Sequence, residues 1–239
     1  MKELDMSSCE YAHRSFDADI EVLRSTVTTM AGLVERQLVR AIESIRRQDP
    51  QLVAAVLLDE QRVNQLQVDS DLRCNRTIAR RQPIAIDLRE IIAVIHIVND
   101  LERIGDEAKK IALRSRDFAA APSPIGIDGI ERMASRVRRM FDAAVDAFVR
   151  HDASVAAQLE AIDGEVDDLR DRLVGELMQA MAQQPASVTS GVAAVFVVQS
   201  IERVGDHAKN IAEHVALLVE GVDLRQAPLD SGRETGEEG

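Results

Sequence analysis

The chain has 239 residues, of which 46% are hydrophobic and only 3% aromatic, with no Trp, 12 Gly and 6 Pro. That is enough apolar content for one or two ordinary cores, and a composition rich in Ala, Val, Leu, Arg and Glu belongs to helix bundles rather than sheets. The formal charge of −12 argues against broad attachment to nucleic acid or anionic lipid and leaves room only for a local basic patch.

The opening MKELDMSSCEYAHRSFD lacks the apolar core of a signal peptide, so residues 1–16 read as a loose polar arm. From Asp17 an apolar series (Ile20, Leu23, Val27, Met30, Val34, Leu38, Ala41, Ile45) runs at helical spacing to Arg47. Asp49-Pro50 then supplies a cap residue and a first-turn proline for a second helix, which stops before Pro83. A third helix is expected from Asp87, with Asp87 as its cap and Glu90 closing a capping box, to Arg116. A small-residue run with two prolines, 117–128, marks a linker. After it the pattern restarts.

With a shift of 103, Met30, Ala31, Val34, Arg36, Ala41, Asp49, Val63 and Leu66 fall on Met133, Ala134, Val137, Arg139, Ala144, Asp152, Val166 and Leu169. In the third helix the shift is 100. There NDLERIGDEAKKIA (99–112) returns as QSIERVGDHAKNIA (199–212), with Glu102, Arg103, Gly105, Asp106, Ala108, Lys109, Ile111 and Ala112 unchanged, and Asp87 falls on the cap-type Ser187. The expected fold is therefore all-α. It is a tandem duplication of two three-helix bundles, six main helices related by an approximate internal twofold, at 17–116 and 129–220, with a disordered tail at 221–239.

On a helical wheel the first motif divides into three sectors. Leu101, Ile104, Ala108 and Ile111 form an apolar arc; Arg89, His96, Asp100, Arg103 and Glu107 form a mixed-charge arc that reads as solvated. Between them lies a stripe that is apolar at Leu88, Ile92 and Ile95 and becomes Asn99, Glu102, Asp106 and Lys110. The second copy repeats it as Val192, Phe196, Gln199, Glu202, Asp206 and Asn210.

A partner pair precedes each motif on the second helix of each unit, Glu60 with Asn64 and Asp163 with Asp167. Carboxylate and amide oxygens without Cys or paired His are ligands for a hard or borderline cation. The simpler reading is ordinary helix charge satisfied by Arg103, Arg203, Lys109 and Lys209. Gly105 and Gly205, inside helices, point to close helix approach. Cys9 and Cys74 are too few for a disulfide framework, and the histidines share no position between halves. The longest apolar runs, IIAVIHIV and VAAVFVV, fall well short of the roughly 20 residues that span a bilayer, so a soluble chain is expected. No nucleophile elbow, P-loop or dinucleotide fingerprint is present, and no enzymatic activity is expected.

The stretch RRQPIAIDLREIIAVIHIVNDLERIGDEAKKIA, its second copy SIERVGDHAKNIA, the opening HRSFDADIEVLR and the acidic pairs together resemble the PhoU family over about residues 13–218. The resemblance implies a cytoplasmic negative regulator of phosphate uptake. Such a protein acts on the ATPase subunit of a phosphate ABC transporter and on a phosphate sensor histidine kinase. It is peripheral to the membrane through those partners, homodimeric, and does not bind nucleic acid. It also implies divalent or multinuclear metal (iron, zinc, Mn or Mg) at Glu60, Asn64, Glu102 and Asp106 in the first half and Asp163, Asp167, Glu202, Asp206 and Asn210 in the second. Asn64 and Lys110 depart from the family pattern of an acid and an asparagine. The alternative is a metal-binding helical enzyme or storage protein using the same pairs.

Overall fold

The computed structural model describes residues 3–120 and 125–221, with side chains from 17 to 118 and from 125 to 221. Among these residues there is no strand. Six helices account for nearly all of them: α1 Glu3–Arg47, α2 Pro50–Arg81, α3 Ala85–Ala120, α4 Asp128–Arg150, α5 Val155–Gln183 and α6 Val188–Glu220, the last preceded by a short 3₁₀ turn at Pro185–Ser187.

The boundaries follow local chemistry. Asp49 caps α2 by accepting the Gln51 amide at 2.8 Å, and Pro50 occupies the first turn, where its missing N–H costs nothing. α1 begins at Glu3 rather than Asp17, because no proline or glycine interrupts 3–31 and polar composition alone does not end a helix. α3 begins at Ala85, so Asp87 is not its cap but a first-turn acid, favourable to the helix dipole. Ser187 does precede α6, but its hydroxyl donates to the Gln184 carbonyl at 2.7 Å and does not cap the helix. The expected linker is shortened by α3 running to Ala120; 121–124 and the tail beyond Gly221 lie outside the described residues.

Each half packs three helices around its own apolar stripes: α1, α2 and α3 in the first, α4, α5 and α6 in the second. Leu23, Met30, Val34, Val63, Leu101 and Ile104 are fully or almost fully buried in one, and Met133, Phe141, Phe148, Leu159, Val166 and Val204 in the other. Each such side chain contributes roughly 1.5–3 kcal/mol relative to exposure. The most extensive helix pairing joins the halves, α3 against α6, and makes the two cores continuous. Residues 185–220 are apolar enough over one window to cross a membrane by length and composition, but half of that window is buried in the bundle, as in a core helix.

The α3–α6 seam is antiparallel and carries the internal twofold in its side chains. His96 stacks on His214 with ring centroids 4.7 Å apart, and the duplicated positions form the corresponding contact, Arg114 over the Phe196 ring at 4.6 Å. The mixed-charge arc of the first motif is therefore not uniformly solvated. Asp100 and Glu107 are buried in this seam because α6 covers them. Asp100 Oδ1 meets His207 Nδ1 at 2.9 Å and its Oδ2 meets His214 Nε2 at 3.3 Å. Glu107 takes Lys110 at 2.8 Å and Arg203 of the other half at 3.6 Å. Burial raises the Asp100 pKa, but hydrogen bonds and charge from His207 and His214 outweigh it and hold the group below the ordinary carboxylate range.

Candidate functional site

The apolar arc of each motif is buried as expected, with Leu101, Ile104, Ala108 and Ile111 fully so, and this turns Glu102 and Asp106 of α3 towards α2 at half-exposed positions. Helices α2 and α3 run antiparallel in the register that brings Gln67 Nε2 to Asn99 Oδ1 at 2.9 Å. About two turns along, that register brings Glu60 to Asp106.

The first-half cluster is internally neutralised. Lys109 Nζ lies 3.1 Å from Asp106 Oδ1 and 3.4 Å from Glu60 Oε1, bridging the two helices. The other Glu60 oxygen accepts from Gln37 Nε2 of α1 at 3.1 Å. Burial, then the hydrogen bond with Asp106, raises the Glu60 pKa. For Asp106 burial acts upward too, but the hydrogen bonds from Lys109 and Glu60 and the charges of Lys109 and Lys110 prevail and lower it. The hydrogen bond to Asp106 raises the Lys109 pKa in turn. Glu102 stands apart, 3.6 Å from Arg103, and Asn64 is exposed without a hydrogen bond to the others among the described residues. Lys110, on the same helical stripe as Asp106, bonds Glu107 instead, and its influence on Asp106 is through space.

The second-half cluster has the same plan and a different balance. Lys209, the copy of Lys109, bonds Asp163 Oδ2 at 2.6 Å and reaches Glu160 at 3.5 Å. Arg170 of α5 bridges Glu202 at 2.7 Å and Asp167 at 3.6 Å. Asp206 forms no ion pair of its own among the described residues. Burial, followed by the charge of Asp163, raises its pKa, and burial followed by the charge of Asp206 raises that of Glu202. Asn210 is half-buried one turn beyond.

Lys109 and Lys209, which the sequence offers as partners of the acids, do bridge helices, and their identity in both copies is the signal that marks them. Gln37 and Arg170 carried none, since their counterparts are Met140 and Gln67. Gly105 does mark close approach: a Cβ there would lie 3.0 Å from Gln37 Oε1 and 3.2 Å from Glu60 Oε2. At Gly205 the nearest atom would be 3.6 Å away, an ordinary contact.

The donor set fits a hard cation better in the second half than in the first. Four carboxylates there face two cationic side chains, and Asp206 and Glu202 are raised first by burial and then by the neighbouring charges of Asp163 and Asp206 respectively. Among the described residues no three His, Cys, Asp or Glu side chains stand close enough together to hold an ion, and Lys209 and Arg170 pair with Asp163 and Glu202.

The chain matches the PhoU domain twice, over residues 27–115 and 130–215, one match per bundle. It belongs to the PhoU family. A phosphate-specific transport system accessory protein PhoU homolog from Pseudomonas aeruginosa is 37% identical over 229 residues, 95% of each chain. The Escherichia coli phosphate-specific transport system accessory protein PhoU is 36% identical over 216 residues, covering 90% of this chain and 89% of that one. The crystal structure of PhoU from Pseudomonas aeruginosa superposes with a TM-score of 0.84 at 38% identity, over 87% of this chain and all of that one. At 24% identity, the phosphate transport system regulatory protein PhoU from Streptococcus pneumoniae shares the fold, with a TM-score of 0.80 over 87% of this chain and 99% of that one.

Proposed function

We propose that this PhoU-family chain is a cytoplasmic negative regulator of phosphate uptake and phosphate-starvation signalling. It works by contact with the ATPase subunit of a phosphate ABC transporter and with a sensor histidine kinase. The observation that carries the reading is the near full-length likeness, 95% of both chains, to an accessory protein of the phosphate-specific transport system. Deleting the gene is expected to raise phosphate-starvation gene expression in phosphate-rich medium; unchanged expression there would refute it. Capture of the transporter ATPase from membranes at high but not low phosphate would identify the partner.

The acidic faces have a part in the same reading as cation sites that rigidify the α2–α3 and α5–α6 surfaces. Iron, zinc, Mn or Mg are the candidate ions, with Asp163, Asp167, Glu202 and Asp206 as charged donors and Asn210 as a neutral one. The surplus of these four carboxylates over the two cations among them, Lys209 and Arg170, supports this. Self-association into a homodimer has apolar surface available at Val192 and Phe196, each more than 40% exposed, and light scattering on the purified chain tests it.

A further inference from the structure

In a chain of net charge −12, one groove is basic. It lies between the C-terminal turns of α2 and the facing part of α1, has a volume of about 450 Å³, and is lined by Arg73, Arg76, Arg80, Arg81, Asp19, Asp69 and the apolar Leu72. Arg81 is held by Asp19 at 3.3 Å, and Asp69 is bonded to Gln65 at 2.9 Å. Arg73, Arg76 and Arg80 have no carboxylate within ion-pair distance among the described residues, and all three are exposed.

Helix termination does not require them. Cations favour a helix C-terminus, which accounts for Arg80 and Arg81 in the last turn, but Arg73 and Arg76 stand further back. The duplicated helix α5 ends with no basic residue in its last turn. Its counterparts of Arg73, Arg76 and Arg80 are Glu176, Gln179 and Gln183. One copy of the unit has therefore become basic at this end of its second helix where the other has not.

From this we infer that the groove binds a phosphate-bearing anion with more than one phosphate group. With the Arg81–Asp19 pair set aside, the three exposed guanidiniums of Arg73, Arg76 and Arg80 face the one carboxylate of Asp69 in the groove lining, which leaves positive charge for a ligand. Arginine forks match phosphate oxygens in pairs, and the volume falls within the roughly 300–1,000 Å³ range of small-ligand sites and exceeds the need of a single oxyanion.

The test is calorimetric titration of the full chain with inorganic pyrophosphate, with a chelator present so that no cation at the acidic faces mediates contact. Saturable binding is expected, weakened about tenfold or more in R76E/R80E and unchanged in E202A/D206A. Circular dichroism checks that R76E/R80E still folds, as expected for two exposed, unpaired side chains. Co-sedimentation with phosphatidylglycerol vesicles against phosphatidylcholine vesicles separates the sources. Retention on the former alone, abolished in R76E/R80E, with pyrophosphate silent, assigns the phosphate groups to lipid. Equal binding of sulfate, retention of pyrophosphate binding in R76E/R80E, or no binding to either probe overturns the proposal.

Discussion

Beneath the motif of the first half lie Gln37 and Glu60, both buried; the duplicated positions in the second half hold Met140 and Asp163. The first half has drawn its acidic face into a polar network that reaches α1. The second has rebuilt the support in apolar packing and left its carboxylates with only their own two cations. Identical motif residues thus serve different ends: at Asp106 the surroundings favour the ionised form, and at Asp206 they oppose it. The difference is made by where the shared lysine reaches, Lys109 to Asp106 but Lys209 to Asp163, together with Lys110 in place of Asn210 and the carboxylate of Asp163 beside Asp206.

The comparison breaks most visibly in cation binding. After loading with a divalent ion, E202A/D206A should lose more bound metal by elemental analysis than E102A/D106A. The second half offers four carboxylates and the first three, with Lys109 already bridging two of them. Equal losses, or a greater loss from the first-half pair, would show that the charge balance does not govern binding.

The next effect is in the cores. Met140→Gln places in the second half the amide that the first half tolerates at Gln37, where it donates to Glu60 and, at 3.3 Å, to the Val56 carbonyl. Asp163 is one methylene shorter than Glu60 and is held by Lys209, so the new amide lacks that acceptor. A loss of about 2 kcal/mol is expected in chemical denaturation. No loss would mean that the polar network can be built on either half.

Much of this architecture was legible in the sequence because it is periodic. The apolar stripes placed the helices, the repeated identities established the duplication, and Asp49-Pro50 fixed the start of α2. What a helical wheel cannot display is what covers each face. Asp100 and Glu107 read as solvated because their partners, His207, His214 and Arg203, lie about a hundred residues away on α6. Lys110 lies on the stripe of Asp106 by angle, yet it is Lys109 that reaches both Asp106 and Glu60 across the helix pair. The asymmetry of the clusters depended on Gln37 and Arg170, which belong to no repeated pattern.

A smaller contrast concerns acid response. Asp106 has a lowered folded-state pKa, so its ionised form stabilises the fold above the ordinary carboxylate value, and that contribution is lost as pH falls through the lowered pKa. Asp206 has a raised one, so its contribution is present below the ordinary value and lost as pH rises through the raised pKa. At neutral pH and with chelator, Asp106→Asn should destabilise by about 1 kcal/mol and Asp206→Asn should stabilise by no more than that. Both differences should shrink on acidification, Asp206 first. The same sign for both variants at neutral pH would remove the electrostatic distinction between the halves.

The smallest expected effect lies at the two glycines. Alanine in a helix is favoured over glycine by roughly 0.5–1 kcal/mol, a gain available only where a methyl group fits. At Gly205 the added carbon would meet Val137, Asp163 and Met140 at 3.6–3.8 Å, so Gly205→Ala should raise stability by most of that amount. At Gly105 it would lie 3.0 Å from Gln37 Oε1 and 3.2 Å from Glu60 Oε2. Neither can retreat freely, since Gln37 is tied to Val56 and Glu60, and Glu60 to Lys109. The propensity gain should therefore be cancelled or reversed in Gly105→Ala. Thermal unfolding of the two variants, compared with the parent, measures the difference directly. If both were stabilised equally, the polar network beneath the first motif would be softer than its hydrogen bonds imply, and the glycine there would be a relic of duplication rather than a requirement of packing.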